Sequence, residues 1–414
     1  MASEIELKLE MSASDAQAFP GAAFLPGDPD NIDQTSIYFD TPDRDLQRKG
    51  MSLRIRRANG KRTQTVKADG AGAAGLFMRS EWERPVEDDT PVLDDTTPVR
   101  AMLGAAVAAI VPLFEVRIAR AVWIVEQDDS RIELVLDRGE AVAGDRSAPI
   151  CEIELELKAG NPAALFALAR RIAAVVPVRL GVQTKSERGY RLTGPAITRF
   201  KAEPVMLTSA MTAGQAFQQV AGNCVRQFRL NEDQLLPGRN LEALHQARVG
   251  LRRLRSGLAI FRPLIACDSH AKLAAELRWL AASLGDARNL DVMLERTRPG
   301  ALHDSLTAAA DAAHARVADA LAAPRACALM LDLAEWTALG PSHSPAGEGL
   351  DDRDQPVREF AVTALGRLRR KLKRHGHDLA QADDEARHRI RKDAKKLRYA
   401  AEFFRHLFDR KREQ

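Results

Sequence analysis

Several short segments of the chain place charged side chains at every second position. Glu4, Glu6 and Lys8 alternate with Ile5 and Leu7, and Glu152, Glu154, Glu156 and Lys158 alternate with Ile153, Leu155 and Leu157. Arg54 and Arg56 alternate with Leu53 and Ile55, and Thr63, Thr65 and Lys67 share a parity. In extended backbone a period of two sends each such set to one face. One charged face alone is an ordinary solvated sheet surface over an apolar core. Glu on some strands and Arg or Lys on others make segregated acidic and basic walls instead. If the strands close into a barrel, those walls line its lumen and Ile, Leu and Val face outward. That lumen needs an occupant that carries both cations and anions. A polyphosphate chelated by Mg2+ or Mn2+ meets the need, because hard divalent ions take carboxylate and phosphate oxygens while guanidinium and ammonium groups hold the rest. The accessible chemistry is in-line attack of water on a polarised phosphoryl group.

A second set of residues recurs at helical spacing. His245, Arg248, Arg252 and Arg255 fall at i, i+3, i+7 and i+10, which is one stripe. His388, Arg391, Lys395 and Arg398 repeat the stripe 143 residues later, and Phe261 then matches Phe404. Arg253 and Lys396 add charge beside the stripes, as does the basic run from Arg367 to Arg374. Same-sign neighbours one turn apart cost about 0.2–0.5 kcal/mol per pair, so their recurrence in two copies favours an anionic ligand over a solvated face. Each of His245 and His388 reads equally as a phosphate donor or a satisfied core histidine. Nucleic acid fits less well, since single strands ask for aromatic stacking surfaces and only Tyr399 of the three tyrosines lies in a stripe.

The elements that must carry these residues divide the chain. Up to about residue 193, short alternating runs separated by Gly, Pro, Asn and Asp predict antiparallel strands, with helices near Val99–Ile110 and Pro162–Val176. From Met211 onward long Ala, Leu and Arg stretches predict helices alone. The expected fold is therefore multidomain, α+β followed by all-α. The expected boundaries are residues 1–195, a linker at 196–210 and a helical domain at 211–414. Its two duplicated halves are expected at about 211–339 and 357–414, with an exposed loop at Leu339–Pro356 between them. Charge follows the same division: residues 1–200 hold 26 basic and 30 acidic side chains, and residues 201–414 hold 35 and 27. The overall +4 of these 414 residues conceals that contrast. All nine histidines lie after residue 244, which argues against His-based acid/base or triad chemistry in the strand half. The Gly-rich Ala68–Leu76 lacks the Lys-Ser/Thr ending of a phosphate-binding loop. Cys151, Cys224, Cys267 and Cys327 have no metal-ligand spacing and read as reduced. Without a membrane span or a basic-then-apolar leader in the sequence, a cytoplasmic location is expected.

The N-terminal Glu4-x-Glu6-x-Lys8 resembles the ExExK signature of the CYTH superfamily, the triphosphate tunnel metalloenzymes. It is followed in order by YFDTPDRDLQRKGMSLRIRR, TVK ending at Lys67, RSEWE with Glu81, RIARAVW with Arg120, IELVLDRGE with Asp137, ICEIELELK, and QTKSERGYRL with Lys185 and Arg188. The inorganic triphosphatase branch is the nearest in pattern. The resemblance implies an eight-stranded antiparallel β tunnel with flanking helices and one or two divalent ions, Mg2+ or Mn2+. It implies Glu4 and Glu6 as metal ligands, with Glu152 and Glu154 completing the site or orienting the attacking water. Lys8, Arg54, Arg56, Lys67, Arg120 and Lys185 would bind triphosphate. Glu81 and Asp137 would be further carboxylates for a second ion or for orienting arginines; Glu156, Arg79 and Arg188 lie in the same motifs without an assigned role, and Arg117 reads as a neighbouring strand charge.

The helical half, with HxxRVxxRRLR, LGDARNLDV and HRIRKDAKKLRYAAEFF, resembles the CHAD domain, the conserved-histidine α-helical domain. That resemblance implies a pseudo-twofold pair of helical bundles and binding of inorganic polyphosphate. The residues it implies are His245, Arg248, Arg252, Arg253, Arg255, His388, Arg391, Lys395, Lys396 and Arg398. The expected function is hydrolysis of tripolyphosphate to pyrophosphate and phosphate, with long-chain polyphosphate held by the helical half and a location at polyphosphate granules. Two rivals stay open: a polyphosphate-granule binding protein with a weak or vestigial tunnel, and a class IV-like adenylate cyclase or a triphosphatase for ATP or thiamine triphosphate.

Overall fold

The computed structural model describes residues 3–68, 75–265, 268–340, 353–377 and 379–408. The chain forms two compact units, Met1–Ile197 and Thr198–Gln414.

In the first unit nine strands form one antiparallel sheet: β1 (Ser3–Glu10), β2 (Asp30–Asp40), β3 (Met51–Ala58), β4 (Lys61–Ala68), β5 (Leu76–Pro85), β6 (Val111–Gln127), β7 (Ser130–Ala143), β8 (Arg146–Ala159) and β9 (Arg179–Leu180). Their order is β5-β4-β3-β2-β6-β7-β8-β1-β9, and β5 also pairs with β1, so the ladder of eight long strands returns on itself. Tight turns make the hairpins. Asn59-Gly60 joins β3 to β4 and Asp128-Asp129 joins β6 to β7, all four residues at positive φ, as a two-residue hairpin turn of matching twist demands.

Alternation then sorts the side chains. Leu7, Leu9, Leu134, Leu136, Ile153 and Leu155 are each at most 0% exposed on the outer wall. The helices α1 (Ala13–Ala18) and α4 (Ala163–Ala173) pack on that wall, α4 burying Leu165, Phe166, Leu168 and Ile172. Full burial of one such side chain stabilises by about 1.5–3 kcal/mol. A second outer core joins Ile37, Phe39, Leu53, Ile55 and Val66 to α2 (Asp45–Arg48) and α3 (Val99–Leu103). The helix α5 (Lys185–Leu192) is different, because it packs on β6, β7 and β8 with Tyr190 set among their inward-facing residues. A capping box between Thr184 and Glu187 fixes its start.

The second unit contains α6 (Ala213–Glu232), α7 (Leu241–Ile260), α8 (Arg262–Ile265), α9 (Asp268–Leu294), α10 (Ala301–Ala322), α11 (Pro324–Leu339), α12 (Val357–His375) and α13 (Asp384–Phe403). The hairpin of α6 and α7 corresponds to that of α12 and α13, while α9 to α11 have no counterpart among the described residues after α12. Phe217, Phe261, Phe360 and Phe404 form the shared aromatic core, with Phe261 and Phe360 stacked at 4.9 Å. Gly250 permits the close approach of α7 to α6, since a Cβ there would lie 3.1 Å from the Phe228 amide. Much of the expected linker is built into this unit: Val205 and Leu207 are buried, and Asn231 brackets the Phe200 backbone. Of the expected loop at Leu339–Pro356, residues 341–352 lie outside the described residues.

Candidate functional site

The inward-facing residues of the strand unit enclose a cavity of ≈ 80 Å3. Lys8, Arg54, Arg56, Lys67, Arg120 and Lys185 all line it. So do Glu6 and Glu154, together with Glu133 and Glu156. Acidic groups come from β1, β7 and β8; Arg54, Arg56 and Lys67 come from β3 and β4. The Nε atoms of Arg54 and Arg56 are buried with no hydrogen-bond partner among the described residues.

Beside the cavity lies a compact ion cluster. Lys185 Nζ is 2.7 Å from Asp137, 2.5 Å from Glu152 and 2.8 Å from Glu154. Arg120 donates two hydrogen bonds to Asp137, at 2.8 and 2.6 Å, and a third to Glu154 at 3.0 Å. Lys8 donates to Glu154 and lies 3.4 Å from Glu6. Burial works against each charge, yet Asp137, Glu152 and Glu154 outweigh it and hold the Lys185 pKa well above its ordinary value. Burial likewise opposes the Glu154 carboxylate, and Lys185, Lys8 and Arg120 outweigh it to hold its pKa well below the ordinary range. Lys8 is raised for the same reason, with Glu154 and Glu6 overcoming burial.

Asp137, Glu152 and Glu154 bring ligand atoms within 4.8 Å of one another, the spacing of a metal site. In this structure the Lys185 ammonium sits among these three carboxylates. Glu152, expected on the metal wall, is 1% exposed and does not line the cavity. Barrel stagger pushes it behind Lys185, whereas Glu156, of the same parity, faces the cavity. Of the remaining expected residues, Glu81 is paired with Lys67 at 3.4 Å, and Arg188 reaches from α5 to Glu10. Arg117 is exposed and paired with Glu115. The side chains of Glu4 and Arg79 lie outside the described residues, though β1 and β5 place the two backbones opposite each other. The alternation reading also passed over β2, whose Gln34, Ser36 and Tyr38 line the cavity. Their shared parity was the available signal.

In the helical unit, α7 and α13 bring the two stripes together. Arg252 on α7 donates to the Tyr399 hydroxyl on α13 at 2.9 Å, and the Arg398 guanidinium stacks on the Tyr399 ring at 4.6 Å. Burial and the charges of Arg252, Arg391 and Arg398 lower the Lys395 pKa. Burial and the charges of Arg288, Arg252 and Arg248 lower that of His245. Arg248 and Arg255 are lowered too, chiefly by burial and then by neighbouring arginines. Arg288, from the LGDARNLDV segment, is thus among the charges that act on both His245 and Arg248. His388 and Arg391 are exposed and Lys396 is half-buried. Arg253, expected beside the stripe, is 1% exposed, bonds Glu402, Asn223 and Gln227 and lies over Phe403. Tyr399 is 1% exposed, with Arg398 over its ring, so no face of it is open to a nucleobase.

A family model for the CYTH domain matches residues 2–190, and one for the CHAD domain matches residues 219–414. The chain carries a CYTH domain followed by a CHAD domain. The chain is similar to an inorganic triphosphatase of Haemophilus influenzae, 33% identical over 195 residues that cover 46% of this chain and 55% of that protein. The chain thus spans about half the length of this curated relative. Among solved structures, the CHAD domain from the plant Ricinus communis is 31% identical, with a TM-score of 0.45, covering 50% of this chain and 71% of that one. A Hippeastrum protein assigned as an adenylyl cyclase, with a dominant triphosphatase activity, is 20% identical with a TM-score of 0.35, covering 45% and 95%. No helix among the described residues is long and apolar enough to cross a membrane.

Proposed function

We propose that the CYTH domain hydrolyses inorganic tripolyphosphate to pyrophosphate and phosphate with a divalent metal ion, and that the CHAD domain binds long-chain polyphosphate by direct charge. The observation that carries the first part is the cavity itself: six cations and four carboxylates face one lumen. Glu6, Glu154 and Glu156 are hard oxygen donors on the acidic wall and, with Glu4, are the residues that would hold Mg2+ or Mn2+. A bound divalent ion would neutralise phosphate oxygens and polarise the phosphoryl group. Arg54, Arg56 and Lys67 hold the anion from the opposite wall. Lys8, Lys185 and Arg120 keep Glu154 ionised, so the acidic wall retains its charge at neutral pH.

For the CHAD domain the support is uncompensated charge. Burial and neighbouring cations lower the pKa of four of its stripe residues. Association with polyphosphate granules and a cytoplasmic location accord with such a ligand.

The test is phosphate release from tripolyphosphate, ATP and thiamine triphosphate side by side, with Mg2+ and with Mn2+. Tripolyphosphate is expected to turn over fastest, and Glu4→Ala and Glu6→Ala to abolish turnover. Full activity in both variants would remove these residues from the site. Faster cyclisation or hydrolysis of ATP would establish a nucleotide enzyme instead. Tight, salt-sensitive polyphosphate binding without turnover would establish the binding-protein reading.

A further inference from the structure

The lumen is unlike at its two ends. Along β6 the inward residues run Phe114, Val116, Ile118, Arg120, and along β8 they run Ile150, Glu152, Glu154, Glu156. Arg120, Glu154 and Glu156 line the cavity, Glu152 lies behind them, and the apolar members close into one buried cluster with Tyr38 and Tyr190. Tyr38 and Val116 belong both to that cluster and to the cavity lining, so they form its floor.

The floor is backed firmly. Tyr38 stacks on Phe114 at 4.7 Å, and Tyr190 of α5 meets the Phe114 ring edge-on at 5.0 Å. The Tyr190 hydroxyl donates to Asp40 at 2.8 Å. A Cβ on Gly189 would lie 2.0 Å from Phe114, which shows how closely the helix sits. Arg44 and Arg146 donate to the carbonyls of Thr193 and Leu192, at 2.7 and 2.6 Å, and hold the end of the helix. Its first residues, Thr184, Lys185 and Ser186, meanwhile line the cavity.

We propose that the tunnel is a blind socket: a phosphate chain enters end first, and scission falls a fixed number of phosphoryl groups from the inserted end, a number set by the floor at Val116 and Tyr38. This rests on the triphosphatase reading and specifies how that site chooses its bond. In the step, the water oxygen bonds to phosphorus and the bridging P–O bond breaks. The bridging oxygen leaves with its electron pair on the departing phosphate, and the water proton passes to solvent.

The experiment compares linear triphosphate, linear tetraphosphate and cyclic trimetaphosphate, which has no chain end, using the full chain with Mg2+. Products are resolved by phosphorus NMR and binding by calorimetry. Tetraphosphate should give one product pair, either phosphate with triphosphate or two pyrophosphates, at least tenfold over the other. The cyclic compound should bind at least tenfold more weakly than linear triphosphate. Val116→Ala deepens the floor and should shift the tetraphosphate product ratio at least threefold; Val116→Phe raises it and should lower triphosphate affinity, with circular dichroism reporting the fold of each. A mixture of both product pairs from the wild type, equal binding of cyclic and linear compounds, or an unchanged ratio in folded Val116→Ala overturns the socket. Failure of the wild type to cleave any chain would instead defeat the triphosphatase reading, and the socket is then judged by the cyclic-to-linear binding ratio alone.

Discussion

Lys185→Met tests whether the ion cluster holds the barrel together. Three cations, Lys8, Lys185 and Arg120, face three carboxylates, Asp137, Glu152 and Glu154, and the Lys185 side chain is 8% exposed. Methionine matches the stem and removes the ammonium, so one buried negative charge loses its partner and the three acids repel across a few ångströms. Breaking a buried pair in this way costs about 3–5 kcal/mol. In a unit of this size each kcal/mol moves the melting temperature by about 2–4 °C. Scanning calorimetry of the full chain should therefore show the CYTH transition lowered by about 6–20 °C, with the CHAD transition unmoved. Lys185→Arg, which keeps the charge, should lose much less. A Met variant melting within about 2 °C of the wild type would show that the cluster is not a stabilising network.

Other outcomes follow from single residues. Arg253→Met should destabilise the CHAD domain by about 2–3 kcal/mol in chemical denaturation, because Glu402, Asn223 and Gln227 lose a charged donor, yet leave polyphosphate affinity within twofold. Arg252→Ala or Lys395→Ala should do the reverse, weakening polyphosphate binding and reducing its log–log salt dependence by about one ion each. Tyr190→Phe should cost the CYTH domain about 1–3 kcal/mol in urea unfolding, since buried Asp40 loses its hydroxyl donor and keeps its amide donors from Thr41, Leu46 and Gln47.

How far the sequence could be read depended on charge. The strands bearing Glu6 and Lys8, Arg54 and Arg56, or Glu154 were legible because polar and apolar side chains alternate without interruption. β2 was not, because Gln34, Ser36 and Tyr38 are neutral and the consecutive Ile37, Tyr38 and Phe39 break the polar and apolar alternation. Parity gave the face of Glu152 and Glu156 alike, but depth along the lumen depends on barrel stagger, which only the strand registers reveal. Arg253 follows Arg252 directly, yet a step of about 100° round the helix turns it from the stripe into the contact with α6. The apolar end of the lumen was invisible because Phe114, Val116 and Ala141 read as ordinary core residues; only α5, whose burial rests on Tyr190, decides which side of the barrel they fill.

The two domains hold their cations in opposite electrostatic states, and that difference can be titrated. In the tunnel, carboxylates overcome burial and raise Lys8 and Lys185; in the CHAD stripes, burial and neighbouring cations lower His245 and Lys395. A polyanion seated on the stripes supplies the missing negative charge, so it must return the His245 pKa toward its ordinary 6.5. The sign follows: between the lowered value and the restored one, His245 is neutral in the free protein and protonated in the complex. Binding there consumes protons and tightens as pH falls, and the gain vanishes once His245 is charged in both states. Lys395 repeats this in the alkaline range below 10.5. Calorimetry of polyphosphate binding near pH 6, in buffers of different ionisation enthalpy, should report net proton uptake that His245→Gln reduces. Uptake that is absent, or unchanged in that variant, would place the polyanion away from the stripe.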